Sequence, residues 1–304
     1  MRWSFVVVGS CIVACSSSAE TPSDTPDSAG LDTMVDTTVD EASADSTSET
    51  AADAPIDVAP ETKPDPCVGR LVCDDFEKAT LGGKPSAPFV VSTNKGTVAI
   101  DATRAYSGKQ SVKVAIEATT SGDAYRRAFL NLKGTPLLPI VDNTVYGRFM
   151  IWTDRVPDKS VHWTIAHGDG PLPGGLRATY NYGGMGGLMA NYYKDSKPQP
   201  TDCWQTKTQA FPTGKWACVA FVLNGKTNEM RFSLDGVEIP ELHVVGDTKT
   251  DATCTVKGVD GKWYAPSPFE NVSVGWESYQ HDVAGAHAAW IDDVVLDDAP
   301  IPCP

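Results

Sequence analysis

Residues 67–304 contain no long segment with the 3.6-residue hydrophobic period of a helix, which argues against a helical bundle or a helix-covered sheet. They contain no C-x-x-C pair and no histidine cluster, so their cysteines do not read as a zinc site. A Gly-x-Ser-x-Gly elbow is absent too, which argues against a Ser-His-Asp hydrolase. No basic surplus exists there to form a nucleic-acid footprint: 23 Lys and Arg face 26 Asp and Glu. The net charge of −14 therefore has another source.

That source is residues 16–66, which hold 13 Asp and Glu against a single Lys. The stretch is Ser, Thr, Asp, Ala and Pro with scattered single aliphatics, and it shows no hydrophobic periodicity. Mutual repulsion and the lack of apolar surface predict a disordered, extended tether. Ahead of it, residues 1–15 (MRWSFVVVGSCIVAC) read as an export signal: one Arg, an apolar run, then small residues before a cysteine. The apolar run is too short to span a bilayer. Ile12-Val13-Ala14-Cys15 looks like a bacterial lipobox, with Cys15 as the lipidated residue. Val8-Gly9-Ser10-Cys11 also fits but leaves a very short hydrophobic region, and an ordinary secretory signal cut nearby is the other alternative. By likeness to lipoprotein sorting rules, Ser16 points to the outer membrane or cell surface. The expected partners are thus a membrane, reached through the lipid, and no nucleic acid.

In an exported chain the six cysteines of residues 67–304 read as disulfides. Cys203–Cys218 is the preferred pair because it closes a short loop, and Cys303 is expected to join Cys67 or Cys73. Between the cysteines, short alternating runs recur, punctuated by Gly, Pro and Asn. About a dozen strands in one domain of residues 67–304 predict an all-β, two-sheet antiparallel jelly-roll sandwich, acting as a monomer.

The most regular stretch is Trp216–Gly236, WACVAFVLNGKTNEMRFSLDG. It reads as strand, Asn224-Gly225 turn, strand, and a second turn at Asp235-Gly236. Met230, Phe232 and Leu234 share one face of the second strand, whereas both faces of the first are apolar, as in a strand covered on both sides. Upstream, alternation sorts the side chains of several strands. Val145, Phe149 and Ile151 face a core, opposite Tyr146, Arg148 and Trp152. Ala128, Leu130 and Leu132 point inward, opposite Tyr125, Arg127, Phe129 and Asn131. Trp163 and Ile165 oppose His162, and a further strand puts Arg177 and Asn181 on its polar face. Aromatic rings cover the C–H faces of sugars while guanidinium, amide and imidazole groups bind hydroxyls. Tyr146, Arg148, Trp152, Asn131, Arg177 and Asn181 are therefore expected to bind a polysaccharide.

Four stretches carry a family resemblance: Cys73-Asp-Asp-Phe-Glu77, Tyr106-Ser-Gly-Lys-Gln-Ser-Val-Lys-Val114, Trp290-Ile-Asp-Asp-Val-Val-Leu296 and the hairpin itself. Together they resemble concanavalin A-like lectin/glucanase domains, and among these the Cip-one-like core domain, which is similar to alginate and glucuronan lyases. In such lyases a groove on the concave sheet holds an acidic polysaccharide. An Arg and an amide neutralise the uronate carboxylate, a His or Tyr removes the C5 proton, and a Tyr protonates the leaving oxygen. The resemblance implies Arg127, His162 and Tyr192 or Tyr193 for these roles, with Tyr193 favoured because it shares a face with Asn191. Ser160 stands where the relatives carry Gln two residues before the His, so the amide must come from elsewhere, such as Asn131 or Asn181, or be missing. That departure tilts the expectation toward binding without catalysis, with a uronate lyase as the alternative. The Glu-x-Asp-x-x-Glu pattern of related glucanases is absent, and Glu277 and Asp282 lie in the loop-like stretch GWESYQHD. Asp74, Asp75 and Glu77 on the first strand and Asp292 and Asp293 on the last would repel one another if the terminal strands are neighbours, and Asp75, Glu77, Asp292 and Asp293 are the expected ligand set. A structural Ca²⁺ is the expected remedy, with no catalytic metal.

Overall fold

A computed structural model describes residues 67–118, 125–134, 138–195, 201–246 and 262–304. The proposed export signal, Cys15 and the acidic tether lie outside these residues. Among the described residues, two antiparallel sheets enclose one core. One sheet contains β3 (Gly96–Asp101), β4 (Ser111–Ile116), β6 (Thr144–Thr153), β11 (Trp216–Asn224), β12 (Glu229–Leu234), β13 (Val237–Glu238) and β16 (His287–Asp297), in the order β13-β12-β11-β6-β16-β4-β3. Two short strands extend it: β1 (Val72–Asp74) beside β16 and β14 (Val244–Val245) beside β12. The other sheet runs β10-β9-β8-β7-β15-β5-β2. Its members are β2 (Val90–Asn94), β5 (Arg126–Lys133), β7 (Trp163–Leu172), β8 (Leu176–Gly184), β9 (Leu188–Lys194), β10 (Thr201–Lys207) and β15 (Asn271–Ser278). The jelly-roll expectation is met. β10 was not anticipated: TDCWQTK is mostly polar and belongs to a sheet edge, where it pairs only with β9.

The core forms as alternation predicts. Val145, Phe149 and Ile151 from β6 meet Ala128, Leu130 and Leu132 from β5, with Met230, Phe232 and Leu234 from β12. Each aliphatic or aromatic side chain taken from water there contributes roughly 1.5–3 kcal/mol. The hairpin sits in this scheme with two differences. Its first strand is not covered on both sides: Trp216, Ala220 and Val222 remain half-buried on the outer face. And the Asn224-Gly225 pair does not supply the positive φ; Asn228 does, at 54°. Gly225 is required for space, since a Cβ there would meet the Asn143 carboxamide. At Asp235-Gly236 both residues adopt positive φ, as a tight hairpin turn demands.

The disulfide expectations are corrected. Cys218 pairs with Cys303, not with Cys203, and Cys67 pairs with Cys73. Cys203 is also disulfide-bonded, though not to Cys218. The reason is topological. Cys203 is in the seven-stranded sheet and Cys218 in the other, so a short loop in sequence joins two different layers.

Candidate functional site

Strand alternation raises a polar surface on the face of the seven-stranded sheet that points away from the core. β5 contributes Arg127, Asn131 and Lys133; β15 contributes Asn271 and Glu277; β8 and β9 contribute Thr179, Asn181, Asn191 and Tyr193; β10 adds Asp202. With Tyr125, His162, Tyr279 and Gln280 from the flanking segments, these line a groove of about 690 Å³. β7 adds His167 and Asp169, which simple alternation would have turned inward. A bulge between Thr164 and Ala166 inserts one residue and re-aims the remainder of the strand. Trp163, Ile165 and Ala166 therefore all reach the core, and His167 reaches the groove.

At one end Glu277 gathers its neighbours. Its side chain is 2% exposed and accepts hydrogen bonds from Arg127 Nε and Tyr125 Oη, each at 2.5 Å, and from Tyr279 Oη. Burial, reinforced by the Glu277 carboxylate, pushes the Tyr279 hydroxyl far above its ordinary range, so it stays a proton donor. The Tyr279 ring lies 4.7 Å from that of His162. Burial lowers His162 to about 4 against the opposing pull of Glu277, which leaves a neutral imidazole at neutral pH. Gln280 joins this end by accepting the His162 backbone N–H at 2.6 Å.

The rest of the groove is a field of coupled amides. Asn181 donates to Asn191, which donates in turn to Asp202 at 2.7 Å and to the Cys203 carbonyl. Asn271 donates to Asp169 at 2.7 Å and to Ser273, whose hydroxyl donates to Asn131. The Asn271 amide also lies 3.2 Å from His167 Nε2, and the His167 ring meets Phe129 edge-on. Burial holds His167 below its usual range. Amides held by one another in this way present fixed donors and acceptors to a ligand.

Arg127, His162 and Tyr193, expected as a catalytic set, all line this groove, as do Asn131 and Asn181. Arg177 shares the face but lies outside the groove lining, exposed and paired with Asp169 and Glu270. Tyr146, Arg148 and Trp152 are corrected: they belong to β6, in the other sheet. Alternation identifies outward-facing residues but not which of two outward faces they join. Trp152 is flanked in register by Trp216 and Trp290 and capped by the Arg104 guanidinium at 3.4 Å, so its surface is already covered. Glu277 and Tyr279 lie in the stretch that reads as loop-like, but Glu277 belongs to β15. Continuing the alternation of Val272, Val274 and Trp276 by one residue turns Glu277 outward, and that signal was available.

β1 and β16 are neighbours, as the metal expectation required. The acids, however, grip one turn from two sides. Asp292 accepts the N–H groups of Tyr106 and Ser107, Asp293 accepts the Ser107 hydroxyl, and Glu77 accepts the N–H groups of Lys109 and Gln110. Asp75 accepts the Glu77 N–H. Among the described residues, no group of three or more His, Cys, Asp or Glu is placed to hold a metal ion. Backbone donors offset part of the repulsion among these acids.

A polar groove thus crosses the outward face of one sheet of a two-sheet jelly roll. The family model described as the Cip1-like core domain, polysaccharide-lyase-like, matches residues 75–299, and the chain belongs to this family. Among solved structures, the cellulose-induced protein Cip1 is 23% identical, with a TM-score of 0.55 over 77% of this chain and 100% of that one. An endo-beta-1,4-glucuronan lyase from the fungus Trichoderma reesei is 11% identical, with a TM-score of 0.49 over 73% of this chain and 95% of that one. No curated protein matches the chain.

Proposed function

We propose that the groove binds a polysaccharide chain without cleaving it, and that Cys15 holds the protein by a lipid at a bacterial outer membrane or cell surface. The observation that carries the binding reading is the amide-rich groove, with Asn131, Asn181, Asn191, Asn271 and Gln280 spread along it and phenols at both ends. Hydroxyl groups of a sugar chain match these donors and acceptors, and Tyr193, 40% exposed, offers a ring for a sugar face. Affinity electrophoresis through gels containing dissolved polysaccharides tests the reading. Retardation by at least one polymer, relieved in Tyr193→Ala and Asn181→Ala, is the expected result; free migration in all of them would overturn it.

A uronate lyase is the second reading, favoured by the presence of Arg127, His162 and Tyr193 in one groove and by the neutral His162 imidazole. Incubation with polyuronates, following absorbance of the unsaturated product, separates the two. Product formation that disappears in His162→Ala would establish the lyase and displace the binding-only reading. The anchor is tested by membrane fractionation: Cys15→Ser is expected to move the protein into the soluble extracytoplasmic fraction, and unchanged membrane association would refute lipidation there.

A further inference from the structure

We infer that Glu277 sets the ligand class of the groove, so that it takes an uncharged polysaccharide and turns away polyuronates. The inference rests on the binding reading above and names which polymers satisfy it. Arg127 is the cation that a carboxylate-bearing sugar would need at this end of the groove. Its Nε is already engaged by Glu277 at 2.5 Å, and the carboxylate is almost wholly shielded from water while the arginine is one-third exposed. A uronate carboxylate approaching Arg127 would therefore meet a fixed negative charge directly behind it.

Glu277 is also held too firmly to swing aside. Tyr125 and Arg127 bond one carboxylate oxygen and Tyr279 the other, so moving it breaks three charge-assisted hydrogen bonds in a buried place. The rest of the lining does not compensate. Lys133 is the other cation among the lining residues, whereas Asp169 and Asp202 add two further carboxyl groups. Asp169 Oδ1 is taken by Arg177 and Oδ2 by Asn271, and Asp202 is hydrogen-bonded by Asn191. The lining thus holds three carboxyl groups and two cations, with Arg177 outside it shared between Asp169 and Glu270, along a groove whose other polar groups are uncharged amides, phenols and imidazoles. Like charges brought together across a partly water-excluded groove repel by up to a few kcal/mol, whereas hydroxyl-to-amide bonds carry no such penalty.

The test compares hydroxyethylcellulose and glucomannan with alginate and polyglucuronate, by affinity electrophoresis and calorimetry at low and moderate salt. The unaltered protein is expected to bind at least one neutral polymer at least about tenfold more tightly than either polyuronate, with little change on adding salt. Glu277→Gln keeps the size of the side chain and releases Arg127. It is expected to raise polyuronate affinity by about tenfold at low salt, with the gain lost as salt is added. Preference of the unaltered protein for a polyuronate overturns the inference, and that arm does not depend on the variant folding. A folded Glu277→Gln protein with no gain on polyuronates overturns it as well. If the unaltered protein binds none of the neutral polymers or polyuronates, the binding reading itself fails, a result distinct from either of the others.

Discussion

At the scale of single residues, burial decides more of the chemistry than charge partners do. His162 is lowered to about 4 and His287, packed 3.9 Å from the Trp276 ring, to about 3, both chiefly by burial. A histidine whose folded pKa is depressed binds fewer protons than its unfolded form between the two values. Its contribution is therefore intact above about 6.5 and is lost as pH falls toward the folded value, at about 1.4 kcal/mol per pH unit for a fully buried group. Asp292, raised to about 7 by burial, acts with the opposite sign: its carboxyl form is favoured by folding, so stability is lost as pH rises from the ordinary carboxylate range to about 7. Comparing thermal unfolding at pH 7 and pH 5 for the parent and His287→Asn isolates the histidine. The variant is expected to lose less stability on acidification, and an unchanged pH dependence would refute the assignment.

At the scale of elements, the disulfides Cys218–Cys303 and Cys67–Cys73 differ in what they restrain. Cys218–Cys303 joins β11 to the chain end across 85 residues, whereas Cys67–Cys73 spans 6. In the loop-entropy account the long bridge contributes more, on the order of 4–5 kcal/mol. Replacing Cys218 and Cys303 together by Ser is expected to lower the guanidinium midpoint clearly further than the same change at Cys67 and Cys73. The aromatic row Trp216, Trp152 and Trp290 is an element-scale feature too, crossing three adjacent strands with Arg104 stacked on its centre. Trp152→Ala removes a nearly buried indole, so a cost of roughly 3–5 kcal/mol in unfolding free energy is expected, with polysaccharide affinity unchanged. Loss of binding without loss of stability would return Trp152 to the ligand surface. Alternation made most of these elements legible: the core faces of β5, β6 and β12 follow directly from their residues. It failed at β7, where the bulge is a product of pairing with β8 and β15 and leaves no mark in His162–His167 itself.

At the scale of the whole molecule, charge is partitioned along the chain. The acidic stretch of residues 16–66 holds most of the net charge, and residues 67–304 are nearly neutral. On the proposed binding reading, long-range attraction contributes little to capture of a polymer, and recognition depends on contact within the groove. Affinity for a neutral polysaccharide is accordingly expected to be nearly flat between low and physiological salt, a property calorimetry reads directly.

The sequence by itself determined the layered all-β class, most residues of the core and most of the side chains that leave it. These depend on a two-residue period and on turn chemistry, both local. Arg127, His162, Tyr193, Asn131 and Asn181 could be selected on those grounds. Tertiary structure decided which outward-facing residues share a sheet, separating Tyr146, Arg148 and Trp152 from the groove. It also joined Cys218 to Cys303 and placed Glu277 against Arg127 from 150 residues away. Each of those outcomes follows from strand order, which long-range pairing and the closing of one core impose and no local period encodes.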